Sequence, residues 1–136
     1  MKPPDFRIRL HIHVGEDHSL GPGKAALLEA IRDTGSISAA ARALGMAYRH
    51  AWELVDDLNA GFATGVVETA AGGREGGGAR LTPFGAELLA RFRDMEATTQ
   101  AAIAPDLAKL AAHLAEREPR SRKVRSKRAP ARSARL

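Results

Sequence analysis

From residue 6 to residue 14 apolar and polar side chains alternate. Phe6, Ile8, Leu10, Ile12 and Val14 hold one parity, and Arg7, Arg9, His11 and His13 the other. Strict period two over this length predicts a half-buried strand. The period then changes. Residues 15–23, with Gly15, Pro22 and Gly23, read as a loop. Ala25 to Thr34 reads as a helix, with Leu27, Leu28 and Ile31 as its apolar stripe and Gly35 as its stop. Ser36 suits an N-cap, because its hydroxyl can accept a hydrogen bond from a free backbone N–H. The helix it opens runs to about Leu44, Gly45 turns the chain, and a second helix runs from about Ala47 to Leu58. Ile37, Ala41 and Leu44 supply one inward face, and Met46, Ala51, Val55 and Leu58 the other. The small Ala40 and Ala41 let the two helices cross closely. This is a helix-turn-helix pattern with a full set of core positions.

Beyond it, Val66 to Thr69 and Ala79 to Leu81 read as two short strands around AAGGREGGG. Thr82 and Pro83 form an N-cap and first-turn pair. They open a helix from Phe84 to about Ala104. Pro105 is expected to break or kink it, and Asp106 to about Arg117 is expected to be helical again. Three helices followed by a β-hairpin make a winged helix. The fold class is therefore mainly α with a small antiparallel β-sheet: a winged helix-turn-helix followed by a long C-terminal helix. The opening strand is expected to add a third strand to the wing sheet.

Charge changes the picture. The 136 residues carry a formal net charge of +5. Residues 119–136, PRSRKVRSKRAPARSARL, hold eight Lys or Arg and no acid, which leaves 13 basic and 16 acidic groups in residues 1–118. The tail has too little apolar surface to offset its ordering entropy, so a disordered basic tail is expected after a domain spanning 1–118. Affinity for nucleic acid must then come from a local patch plus that tail. The chain has no cysteine, which excludes disulfides, thiolate metal sites and thiol catalysis. No apolar run approaches the ~18 residues of a membrane span, and the N-terminus alternates rather than forming a signal-peptide core. A cytoplasmic protein that engages no membrane is expected.

In a helix-turn-helix the N-terminal part of the second helix enters the major groove. Here that part carries Tyr48, Arg49 and His50. The Arg49 guanidinium suits a bidentate bond to guanine. Tyr48 and His50 suit sugar, base or phosphate contacts, or else are solvated surface. Ser36 and Ser38 stand at a helix N-terminus, where a backbone phosphate can be held. Arg74, among wing glycines, suits the minor groove, and Arg80 a phosphate at the base of the wing. Trp52, the one tryptophan, is expected to pack beside the long helix or the wing rather than stack on a base. Glu53, Asp56 and Asp57 place an acidic end of the same helix away from phosphate. The glycine-rich segment lacks the G-x-x-x-x-G-K-[ST] order of a nucleotide-binding loop. His11, His13 and His18 complete no recognised metal spacing, and no Ser/His/Asp constellation can be argued. No enzyme activity, metal or cofactor is expected. Leu88, Phe92, Met95, Ile103, Leu107, Leu110 and Leu114 recur mostly at steps of three and four, which predicts a helix-paired homodimer. The bland alternative folds that stripe back on its own domain.

The stretches TGSISAAARALGMAYRHAWELVDDLN and ETAAGGREGGGARLTPFG resemble the DNA-binding domain of the molybdate-responsive ModE regulators, and the first also resembles the LysR-type helix-turn-helix. The glycine-rich wing followed by L-T-x-x-G is the more diagnostic part. The resemblance covers roughly residues 5 to 115. It implies a dimeric winged helix that binds operator DNA, with Tyr48 and Arg49 at the start of the recognition helix and Arg74 in the wing. In that family molybdate binds a separate C-terminal β-rich domain. Here a short helix and a basic tail follow the long helix, so the resemblance implies the DNA-binding part without the oxyanion site. Three readings stand: a sequence-specific regulator of double-stranded DNA reading a palindromic operator, an architectural DNA binder driven by the tail, and an oxyanion-binding module with molybdate as its effector by analogy.

Overall fold

The computed structural model describes residues 5–70 and 78–115. Strand β1 (Ile12–Val14) and strand β2 (His18–Leu20) form an antiparallel hairpin. Three helices follow: α1 (Pro22–Thr34), α2 (Ile37–Leu44) and α3 (Tyr48–Gly61). Strands β3 (Val67–Thr69) and β4 (Ala79–Leu81) pair antiparallel as the wing, and α4 (Pro83–Ala111) completes the chain order. Phe6 to Ile103 form one compact unit, and the described residues outside it, Asp5 and 104–115, belong to a second. Among the described residues no helix is long and apolar enough to cross a membrane.

The helix boundaries follow local chemistry. Ser36 accepts a bond from the Ala39 amide at 2.9 Å and so caps α2. Gly35 and Gly45 end α1 and α2 at φ 77° and 68°, a left-handed conformation that costs glycine little. Gly45 and Met46 return their amides to carbonyls of α2, and α3 starts two residues later. The core of the first unit is built from Leu27, Leu28 and Ile31 of α1, Val55 and Leu58 of α3, Val66 before the wing and Phe92 of α4, all essentially without solvent exposure.

Several expectations are corrected. Residues 6–12 keep the alternation, with Phe6, Ile8, Leu10 and Ile12 half-buried and the residues between them exposed. Only Ile12–Val14 forms a ladder, however, and its partner is β2, within the stretch read as a loop. The two hairpins are separate sheets, so the opening strand does not join the wing. The reason lies at the wing's edges. The Ala70 amide bonds the Gly78 carbonyl and the Thr82 amide bonds the Val66 carbonyl. By the alternation of an antiparallel ladder, Val67 and Ala79 then point their backbone groups outward. The Ala79 amide is taken by the Gly35 carbonyl at 2.9 Å. The Val67 amide and carbonyl are taken by the Asn59 side chain, each at 3.1 Å. The Gly35 turn and the Asn59 side chain thus each take up part of one edge, where a third strand would otherwise pair.

Leu44 is in line with Ile37 but stands in the last turn at the rim of the core, 38% exposed. Helix α1 starts at Pro22 rather than Ala25, since proline fits a first helical turn. Helix α4 runs through Pro105 to Ala111 and ends before the expected Arg117, which lies outside the described residues. Pro105 cannot donate to the Ala101 carbonyl. Both residues are exposed, so water can take that carbonyl. Of the expected apolar stripe, Leu88 and Phe92 enter the core of the first unit, while Met95, Leu110 and Leu114 are exposed.

One corner joins the wing to the helices. The Asn59 side-chain oxygen accepts the amides of Val66 at 2.8 Å and Val67 at 3.1 Å. The Thr82 hydroxyl donates to the Gly65 carbonyl at 2.6 Å and accepts the Gly85 amide at 2.9 Å, capping α4. Gly85 lies so close to the Val66 carbonyl that a Cβ there would overlap it. The sequence L-T-P-F-G is thus a strand end, a cap, a first-turn proline and a close backbone approach.

Two charged clusters brace the packing. The ammonium of Lys24, a residue only 8% exposed, bonds the Ser19 carbonyl and the Asp57 carboxylate. His18 Nδ1 lies 3.0 Å from the other Asp57 oxygen. The first hairpin, α1 and α3 meet there. Arg93 of α4 makes two bonds to Glu29 of α1, at 2.8 and 2.9 Å, and one to Glu96 at 2.7 Å. The bond from Lys24 lowers the Asp57 carboxyl below its ordinary range against the opposing effect of burial, with His18 adding to it. The Arg93 bond lowers Glu29, and Arg93 itself is raised by Glu29 first and Glu96 second.

Because both carboxyls are depressed, their stabilisation is present above the ordinary carboxylate pKa and disappears as pH falls through the lower folded-state values. The thermal midpoint is expected to fall steeply below about pH 4. Asp57→Asn should remove part of that acid dependence and cost roughly 1–3 kcal/mol at neutral pH, since it leaves the Lys24 charge buried without its partner. A pH–melting profile identical to wild type would contradict this. Asn59→Ala should cost roughly 1–3 kcal/mol by denaturant titration, through amides left without acceptors. It should also speed hydrogen exchange at Val66 and Val67, and unchanged exchange there would refute the edge-closing role.

Candidate nucleic-acid interface

The first turn of α3 differs from that of α2. Its N-cap is Ala47, which offers no side-chain acceptor, and its first turn holds no acid. The leading amides of α3 are therefore left to solvent or to an anion. Tyr48, Arg49 and His50 follow at once, and all three are exposed. The compact Gly45 turn brings this turn next to the end of α2, and the uncapped amides and the three exposed side chains share the first turn of α3.

Each side chain has its own setting. Tyr48 is 56% exposed and stands edge-to-face on Trp52, with ring centroids 6.4 Å apart and planes at 83°. Trp52 itself is half-buried and packs against the core, which agrees with packing rather than base stacking. His50 Nδ1 lies 3.6 Å from Glu53. Among the described residues no carboxylate lies within ion-pair distance of Arg49, so its guanidinium faces solvent with its donors available.

On α2, the Ser36 oxygen is committed to the cap and the residue is half-buried. Ser38 is exposed and accepts a bond from Arg42 Nη1 at 3.0 Å. Arg42 is a residue that the sequence reading passed over. The signal was its spacing of four from Ser38, which puts both on one face of α2. Together they offer a guanidinium and a hydroxyl to a phosphate.

On the wing, Arg80 is exposed and its Nε donates to Glu68 at 2.9 Å across the strands. Arg74 and the tail from 119 lie outside the described residues. At the other end of α3, Glu53 and Asp56 are exposed, while Asp57 is held by Lys24 and His18. The α3 surface therefore passes from cationic at its start to anionic further along. The His11 and His13 rings stack at 6.4 Å, and His18 turns instead to Asp57.

The chain matches known proteins over this region. Residues 24–86 match the bacterial regulatory helix-turn-helix proteins of the lysR family. The chain is 50% identical over 78 residues to the molybdenum-pterin-binding protein MopB of Rhodobacter capsulatus, covering 57% of this chain and 29% of that protein. It is 35% identical over 98 residues to the molybdenum transport protein ModE of Azotobacter vinelandii, covering 72% of this chain and 36% of the relative. It is 40% identical over 68 residues to the DNA-binding transcriptional dual regulator ModE of Escherichia coli K12, covering 50% and 26%. The matches thus span about a third of the length of these relatives. Together with three helices, a hairpin wing and a long following helix, they make this chain a winged helix-turn-helix, similar over residues 24–86 to the lysR-family helix-turn-helix and over part of its length to ModE and Mop proteins.

Proposed function

We propose that this chain is a DNA-binding transcriptional regulator that reads a specific operator with the first turn of α3 and steadies itself with the wing. The observation that carries this reading is the exposed run Tyr48, Arg49 and His50 on an uncapped helix start. Arg49 is the base-reading residue, with Tyr48 and His50 beside it. Ser38 with Arg42, the Ser36 turn and Arg80 contact phosphates, and Arg74 adds a wing contact. Exposed Met95, Leu110 and Leu114 on the outer part of α4 and beyond it support a homodimer. Two copies then present two recognition helices to half-sites of a palindrome. The basic segment 119–136 adds sequence-independent attraction. The protein acts in the cytoplasm, and by analogy with its relatives the genes it controls serve molybdenum handling.

Selection from a random duplex pool tests this. Sites with two-fold symmetry should be enriched both with and without residues 119–136. Arg49→Ala should weaken binding to the selected site by about 10- to 100-fold, with a much smaller effect on random duplex. Equal affinity for selected and random DNA would favour the architectural reading driven by the tail.

A further inference from the structure

A cleft lies beside the junction of the Gly35 turn and the wing. It is bounded by Gly35 on one side and by wing residues that include Glu68 and Arg80 on the other. Glu68 and Arg80 are direct cross-strand partners in the β3–β4 register. Their neighbours Val67 and Ala79 are buried, so the alternation of the strands turns Glu68 and Arg80 to the outer face. The two side chains are 51% and 80% exposed, yet they meet at 2.9 Å.

The placement is informative because of what it opposes. A cation on the outer face of a wing is placed to meet DNA phosphate, and here a carboxylate already bonds its Nε. An ion pair this exposed has little net strength and is screened by salt. A phosphate can take both outer nitrogens of a guanidinium. It then meets a guanidinium whose charge is already partly offset at Nε by Glu68, and the Glu68 charge repels it.

We propose that Glu68 competes with DNA backbone phosphate for the Arg80 guanidinium, and so holds down the sequence-independent affinity of the wing. This rests on the DNA-binding reading above and adds a residue with a negative role. Base recognition by α3 is unaffected by the competition, because phosphate contacts position the protein without reading sequence. Both residues are exposed, so their replacement leaves the fold intact.

The test uses the full chain, random-sequence duplex, and the variants Glu68→Gln, Arg80→Ala and the pair together, with melting curves as the check on folding. Near 0.1 M salt, Glu68→Gln should bind random duplex about fivefold more tightly, and its log affinity against log salt should steepen by about one. Arg80→Ala should bind more weakly with a shallower slope. In the double variant the Glu68→Gln gain should vanish, since the pair is coupled. A gain that persists without Arg80 would show general repulsion and overturn the proposal. So would a Glu68→Gln chain that binds as wild type does. A wild-type chain that binds no duplex would overturn this inference and the regulator reading together, whereas normal wild-type binding with an inert Glu68→Gln overturns this inference alone.

Discussion

The backbone of Val66 is the point at which α3, the wing and the long helix are fixed to one another. Its amide is accepted by Asn59 from the end of α3. Its carbonyl accepts the Thr82 amide, and Gly85 at the start of α4 lies directly against that carbonyl. Its side chain is fully buried. One residue thus meets three elements through three kinds of constraint: a polar bond, a steric close approach and apolar burial. A wing is only two short strands, and an isolated hairpin of that size is marginal in water. Here groups outside the short ladder hold its base and part of each edge. The Gly35 carbonyl takes the Ala79 amide on one strand, and the Asn59 side chain takes the Val67 amide and carbonyl on the other.

This constraint shapes the candidate interface. The end of α3 opposite its exposed first turn is tied to the strand that carries Glu68. The turn that ends α1 and precedes Ser36 is tied to the strand that carries Arg80. The two surfaces expected to meet DNA are thereby linked through hydrogen bonds to the wing backbone, from the Gly35 carbonyl on one strand and the Asn59 side chain on the other. Apolar burial alone would hold the helices together without fixing the wing's register to them, because hydrophobic attraction is not directional.

Much of this was legible in the sequence because its causes are local. Ser36 as a cap, Gly35 and Gly45 as stops, Thr82–Pro83 as a helix start and the period of the two short strands all depend on residues within one turn of each other. The features that were not legible depend on groups far apart along the chain. Asn59 reads as a solvated polar residue, since nothing nearby shows that it will serve Val66 and Val67. Lys24 reads as surface until Asp57, 33 positions later, draws it inward. The opening strand has the right period, but its partner cannot be chosen without knowing that Gly35 and Asn59 occupy the wing's edges. Of the site, the position of Tyr48, Arg49 and His50 followed from the motif. The Tyr48–Trp52 contact is an i, i+4 pair that was open to the same reading. Arg42 was missed because a basic residue on a short helix carries no distinguishing pattern by itself.

The body of this protein carries more acidic than basic groups, and the tail reverses the sum. The central claim is that the folded face reads DNA while the tail only attracts it. Amide chemical-shift mapping of the full chain, titrated with a selected duplex, separates the two most directly. The account predicts the largest shifts at Tyr48 to His50, at Ser36 to Arg42 and at Glu68 and Arg80, with little change at Glu53 to Asp57. Shifts confined to residues 119–136 would contradict it.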